Sequence, residues 1–163
     1  TTLGYDVSGI IIEKGENVPN FNIGDEVFSK VNRQGTFTEF VAVNQKLVSL
    51  KPKNTTFEEA ASLPLVGLTA IQALKRGKLK SGESILIHAG SGGVGSFAIQ
   101  YAKSIGAYVY TTTSSENVSW VKKLGADEVI DYKVKDFTLS SNTYDVIYDT
   151  IGASSFSKSK KDY

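Results

Sequence analysis

Two hydrophobic rhythms divide the chain. Over residues 7–50 the apolar positions come in short runs, VSGIII, VFSKV, TFTEFVAV and LVSL, punctuated by Gly4, Gly9, Gly15, Gly24 and Gly35. Short apolar runs between glycine turns predict β-strands, here a small barrel or curled sheet. From residue 55 the rhythm lengthens. Thr56-x-x-Glu59 in front of Ala60 and Ala61 reads as a capping box, the Glu pair suiting a helix N-terminus. Pro64 interrupts that helix, and a second helical pattern covers residues 69–75.

The centre of the chain is SILIHAGSGGVG, residues 84–95. It is apolar from Ile85 to Ile87 and glycine-rich at Gly90, Gly92, Gly93 and Gly95. Helical spacing then follows in Val94, Phe97, Ala98, Tyr101, Ala102 and Ile105. Strand, tight turn and helix are predicted in that order. A strand over 107–112, a short helix over 117–124, a strand over 128–130 and a fourth over 143–149 come next. Strands alternating with helices predict a parallel sheet wound in right-handed crossovers. The two parts meet near residues 77–82. No internal repeat is evident, and the closing SSFSKSKK is polar enough to fray.

The glycines stand in a G-x-G-x-x-G register at Gly90, Gly92 and Gly95. In a dinucleotide fingerprint the first allows a sharp turn out of the strand. The second lets a pyrophosphate approach bare backbone, and the third lets the helix pack close to the sheet. The helix start offers free N–H groups and a partial positive charge to that pyrophosphate. A glycine-rich turn alone is common, but the strand before it, the helix after it and the second strand at βαβ distance are the context the fingerprint requires.

Composition narrows the remaining classes. The chain has 163 residues and a net charge of +1 with the two signs interspersed, which favours neither nucleic acid nor a membrane surface. With no cysteine, disulfides and thiolate metal ligands are excluded. No apolar run approaches the ~20 residues of a membrane span, and no signal-peptide pattern opens the chain, so a cytoplasmic setting is the expectation. Methionine is absent too, and the chain reads as a piece of a longer protein that opens mid-domain.

Six runs in series, LGYDVSGIIIEKG, FNIGDEVFSKV, GTFTEFVAV, FEEAASLPLVGLTAIQAL, HAGSGGVGSFAIQYAK and LGADEVIDY, resemble the medium-chain dehydrogenase/reductase superfamily in its zinc-independent quinone oxidoreductase branch. The resemblance covers nearly the whole chain. It implies an α/β fold: an incomplete Rossmann-like doubly wound parallel sheet over residues 79–163, preceded by part of a GroES-like β-barrel over 1–78. It also implies hydride transfer from NADPH, or NADH, to a small-molecule quinone or α,β-unsaturated ketone, in a parent protein that is often a homodimer. By the same resemblance, polar residues before Gly4 and two further strands after Gly152 belong to the parent, so the chain alone is expected to turn over poorly and to self-associate.

Carried over residue by residue, the resemblance puts phosphate contacts on Ser91, Gly92, Gly93 and Val94, beside Gly90 and Gly95. The adenosine half falls on the hydroxyls of Thr113, Ser114 and Ser115 and on Tyr132, and Thr69 lies near the nicotinamide. Each has a plainer alternative: Thr69 capping a helix, Ser114 and Ser115 serving as N-caps, Tyr132 a surface ring. Tyr5 and Thr69 are the candidates for a catalytic role, Tyr5 as proton donor. Zinc-dependent relatives carry a histidine and an acid where this chain has Tyr5 and Asp6. The one histidine, His88, sits in the central strand with a structural role, and no zinc is expected.

Two functions compete: an NAD(P)H-dependent reductase, and a nucleotide-binding protein without catalysis. Where NAD-binding units carry Asp or Glu, the chain reads Thr111 to Ser115, with no carboxylate to repel a 2′-phosphate. The family's lysine beyond the serine is replaced by Glu116 and Asn117. A modest NADPH preference is therefore expected, strengthened by Glu116→Lys.

Overall fold

The computed structural model describes residues 2–33, 35–137 and 142–152; the SSFSKSKK run lies outside the described residues. The chain divides into two units, residues 1–66 and 67–163.

In the first unit, β1 (Asp6–Ile10), β2 (Glu26–Lys30) and β3 (Val48–Leu50) form an antiparallel sheet in that order. Gly9 faces Val27 and Phe28 faces Ser49. The TFTEFVAV run, expected as a strand, is irregular. Its backbone bonds reach Gly4 from Gly35 and Thr36 and Leu3 from Phe37, too short a ladder to propagate. Alternation suits a strand, but only a continuous partner edge makes one. Helix α1 (Phe57–Ala61) opens on the expected capping box, with the Thr56 hydroxyl accepting from Glu59 N–H and the Glu59 carboxylate accepting from Thr56 N–H.

Pro64 ends nothing in the next helix; it is the first residue of α2 (Pro64–Arg76), where the missing N–H of proline has no partner to lose. The division between units falls at 66/67 and not at the expected 78/79, because Ala70 and Leu74 of α2 are buried in the core of the second unit.

That second unit holds β4 (Ser84–Ile87), α3 (Gly93–Ile105), β5 (Tyr108–Thr113), α4 (Val118–Lys123), β6 (Glu128–Asp131) and β7 (Val146–Tyr148). A 3₁₀ turn over Ser115–Asn117 leads into α4, where a single helix was expected. The four strands are parallel, in the order β6-β5-β4-β7. Ile85, Leu86 and Ile87 are wholly buried, which is why β4 reads as an unbroken apolar run. Ile85 and Ile87 meet Ala98, Ile99 and Ala102 on one face. Leu86, Ile130 and Tyr144 cluster with Tyr110, Phe137 and Ile147 elsewhere. Helix α3 stops at Gly106, φ 92°, where Gly106 N–H meets Lys103 O and Ala107 N–H meets Ala102 O, a Schellman stop.

Two carboxylates fasten the start of this sheet. The Asp127 side chain accepts from Lys103 Nζ at 2.8 Å and from Val109 N–H at 2.7 Å. Burial pushes its pKa up, but the Lys103 and Val109 bonds win and hold it below the usual range. Asp145 is held low by the Ser84 N–H and then the Ser84 hydroxyl. Both folded pKa values lie below the unfolded ones, so the unfolded chain binds more protons between the two. Stability is present above the unfolded pKa and is lost as pH falls through the folded one, that is below about pH 5. Denaturant titrations across acid pH should show this loss, and Asp127→Asn should flatten it. An unchanged acid slope in that variant would contradict the assignment.

Among the described residues no helix is long and apolar enough to cross a membrane.

Candidate nucleotide-binding site

The strand order makes a crevice. From β4 the chain winds outward through β5 and β6, then returns to place β7 on the other side of β4. The β4–β7 boundary is a switch point, and in such sheets ligands bind outside the carboxyl ends of the strands there. The turn leaving β4 is at that place.

The turn is pinned from β5 by three consecutive threonines. The Thr111 hydroxyl donates to Ile87 O at 2.7 Å. Thr112 accepts from Ala89 N–H at its hydroxyl, 3.1 Å, and from Gly90 N–H at its carbonyl, 2.9 Å. Thr113 donates to Ser91 Oγ at 2.9 Å. Thr113 is 1 % exposed, so it holds Ser91 in place and does not itself face a ligand. That corrects its expected contact role, which a pattern of hydroxyls could not distinguish from support.

The glycines divide the work differently from the expectation. The sharp turn is made by Ala89, φ 52°, and not by Gly90, whose φ is not positive. Gly90 is needed for room: a Cβ there would stand 2.1 Å from Thr111 Oγ1 and 3.0 Å from Ile99 Cδ1. Gly95, buried, would put a Cβ 2.2 Å from Ala89 O, the close helix packing expected of the third glycine. Gly92 is exposed, and a Cβ there would meet only Ala89 O at 3.3 Å. Gly92 is the N-cap of α3 and makes no side-chain cap bond. The N–H groups of Gly93, Val94 and Gly95 therefore have no partner within the helix. Bare backbone, unpaired N–H groups and the Ser91 hydroxyl fit a pyrophosphate.

The adenosine-side residues also gather. Thr113 and Asp131 are ladder partners at the ends of β5 and β6. The Ser115 hydroxyl donates to Asp131 Oδ2, and Lys133 N–H donates to Asp131 Oδ1 at 3.0 Å. Ser114 is buried and its hydroxyl accepts from Asn117 Nδ2 at 3.1 Å. Tyr132 is 59 % exposed, an open ring on the same side. A carboxylate does stand beside the serines, contrary to the sequence reading. It is Asp131, brought from the neighbouring strand, and only the parallel pairing of β5 with β6 reveals it.

Thr69 is exposed within α2, five positions after its first residue, so the helix-cap alternative falls. Tyr5 belongs to the first unit, with Lys30 Nζ 5.9 Å from its ring centre. Asp6 accepts from Leu65 N–H at 2.8 Å, and burial raises its pKa against that bond and the Lys30 charge. His88, just past β4, is 5 % exposed. Its Nδ1 lies 3.1 Å from Thr112 Oγ1, and its ring meets Phe137 edge-on at 4.6 Å. Desolvation lowers its pKa and outweighs the opposing Asp149 charge, which disfavours the charged imidazole. Among the described residues no group of three or more His, Asp or Glu is placed to hold a metal ion.

Sheet order, glycine turn and open helix start together define a Rossmann-type α/β unit. A family model described as zinc-binding dehydrogenase matches residues 93–161. The chain is 41% identical over 162 residues to the 2-methylene-furan-3-one reductase of Solanum lycopersicum, across 93% of the chain and 42% of that protein. It has the same identity and coverage with the chloroplastic NADPH-dependent alkenal/one oxidoreductase of Arabidopsis thaliana. Among solved structures, the quinone oxidoreductase of Coxiella burnetii superposes with a TM-score of 0.87 at 44% identity, over 92% of this chain and 49% of that one. The chain thus spans less than half the length of these relatives. Over what it spans, it belongs to the medium-chain dehydrogenase/reductase superfamily, with the quinone oxidoreductases.

Proposed function

We propose that this chain is the cofactor-holding part of an NAD(P)H-dependent reductase of quinones or enones. The observation that carries the reading is the open glycine cradle at the switch point, Ser91 to Val94, with Gly92 bare and α3 uncapped. The relatives' names supply the chemistry: a furanone bearing a methylene group, alkenals and alkenones, and quinones. All are conjugated carbonyl compounds, electron-poor acceptors of one kind.

When bound, the reduced nicotinamide supplies a hydride. The chain's own residues bind and orient. The N–H groups at the start of α3 and the Ser91 hydroxyl, held by Thr113, take the pyrophosphate. Ser114, Ser115 and Tyr132 take the adenosine half. The family resemblance would put Thr69 near the nicotinamide, and by the same resemblance Tyr5 is the candidate proton donor to the reduced acceptor. The reaction needs no zinc on this reading. The chain has no cysteine and one histidine, and that histidine is buried against Phe137.

Titrating NADPH into the full-length protein and following tryptophan fluorescence tests binding. Adding 1,4-benzoquinone or a simple enone then tests turnover. Binding followed by loss of the 340 nm absorbance of NADPH is expected. Binding without oxidation would favour a non-catalytic nucleotide-binding protein, and no binding would remove the reading.

A further inference from the structure

Beyond Ser115 the chain carries Glu116, and a cation from a distant turn stands against it. Lys133 Nζ lies 3.2 Å from Glu116 Oε2 and 3.3 Å from Oε1. It comes from the turn after β6, one residue past Tyr132. Its backbone is anchored, since its N–H donates to Asp131 Oδ1, while its side chain is 52 % exposed. We propose that Lys133 is the residue that recognises the adenosine 2′-phosphate, and that Glu116 competes with the phosphate for it. The inference rests on the dinucleotide reading above and adds the determinant of NADPH over NADH.

The argument is one of charge and reach. Asp131 stands at Ser115 with both oxygens engaged, so it is a fixed negative charge beside the ribose position. Glu116 is a second. A 2′-phosphate arriving between them would meet repulsion unless a cation intervened, and the cation that the fold delivers there is Lys133. Its exposed ion pair with Glu116 is weak and screened, whereas a phosphate is a stronger partner through charge-assisted hydrogen bonds. The Lys133 side chain is long and half exposed, so Nζ can leave Glu116 for a phosphate while the backbone bond to Asp131 stays.

The experiment compares dissociation constants of NADPH and NADH, and of 2′,5′-ADP and 5′-AMP, by calorimetry on the full-length wild type, Lys133→Gln and Glu116→Gln. Lys133→Gln should weaken NADPH and 2′,5′-ADP about tenfold and leave NADH and 5′-AMP nearly unchanged. Glu116→Gln should tighten the phosphorylated ligands about threefold, by freeing Lys133. Raising salt should erode wild-type NADPH affinity more than that of Lys133→Gln. An NADPH-to-NADH ratio that Lys133→Gln does not move would overturn the assignment while leaving the dinucleotide site standing. A wild type that binds none of the four ligands would remove both.

Discussion

Gly95→Ala is expected to destabilise the second unit by about 3 kcal/mol, about 15 °C in melting temperature. Helix propensity alone argues for the opposite sign, since alanine inside a helix gains about 1 kcal/mol over glycine. The sign is decided by space. The new Cβ would stand 2.2 Å from Ala89 O, 2.9 Å from Ala89 C and 2.9 Å from Gly90 Cα. All three are backbone atoms of a turn already fixed by Thr112, so nothing there yields cheaply. Gly67→Ala is the control. Its Cβ would meet Phe97 ring atoms at 3.2 Å, and a ring can turn aside, so little change or a small gain is expected. Thermal melts of both variants check this, and a neutral Gly95→Ala would show that the turn is softer than its bonding implies.

Gly92→Val should do the reverse, leaving the fold and removing the ligand. The backbone at Gly92, φ −78° and ψ 165°, suits any residue. A Cβ there meets only Ala89 O at 3.3 Å, so the melting temperature should shift by a few degrees at most. Yet the branched side chain would occupy the approach to the N–H groups of Gly93 and Val94. Losing one or two charge-assisted bonds to phosphate should weaken dinucleotide binding about 100-fold. Calorimetry on a variant shown to be folded is the measurement; retained affinity would move the phosphate away from this turn. Together the two variants separate glycine as room for packing from glycine as room for a ligand.

Local signals in the sequence were sufficient for the main elements of the second unit and for the glycine turn between its first strand and helix. The apolar run Ile85 to Ile87, the glycine register and the spacing from Val94 to Ile105 each act within a few residues. Strand, turn and helix followed from them because backbone propensity and burial periodicity are short-range. The capping box at Thr56 and Glu59 was legible for the same reason, its bonds closing over three positions.

Whatever depends on a neighbour distant in sequence was decided by the tertiary structure. TFTEFVAV has a strand's alternation but no edge long enough to pair with, so it is not one. Pro64 was expected to interrupt a helix, and the structure makes it the first residue of α2, whose Ala70 and Leu74 are buried beyond it. Thr113 and Ser114 look alike as hydroxyls. Only the pairing of β4, β5 and β6 turns Thr113 toward Ser91 and brings Asp131 and Lys133 to Ser115 and Glu116, across 16 and 17 positions. Charge acts through space and not along the chain, so the sequence by itself placed the glycine turn between strand and helix, while the charge pattern around Ser115 and Glu116 took shape only when the parallel sheet set its strands side by side.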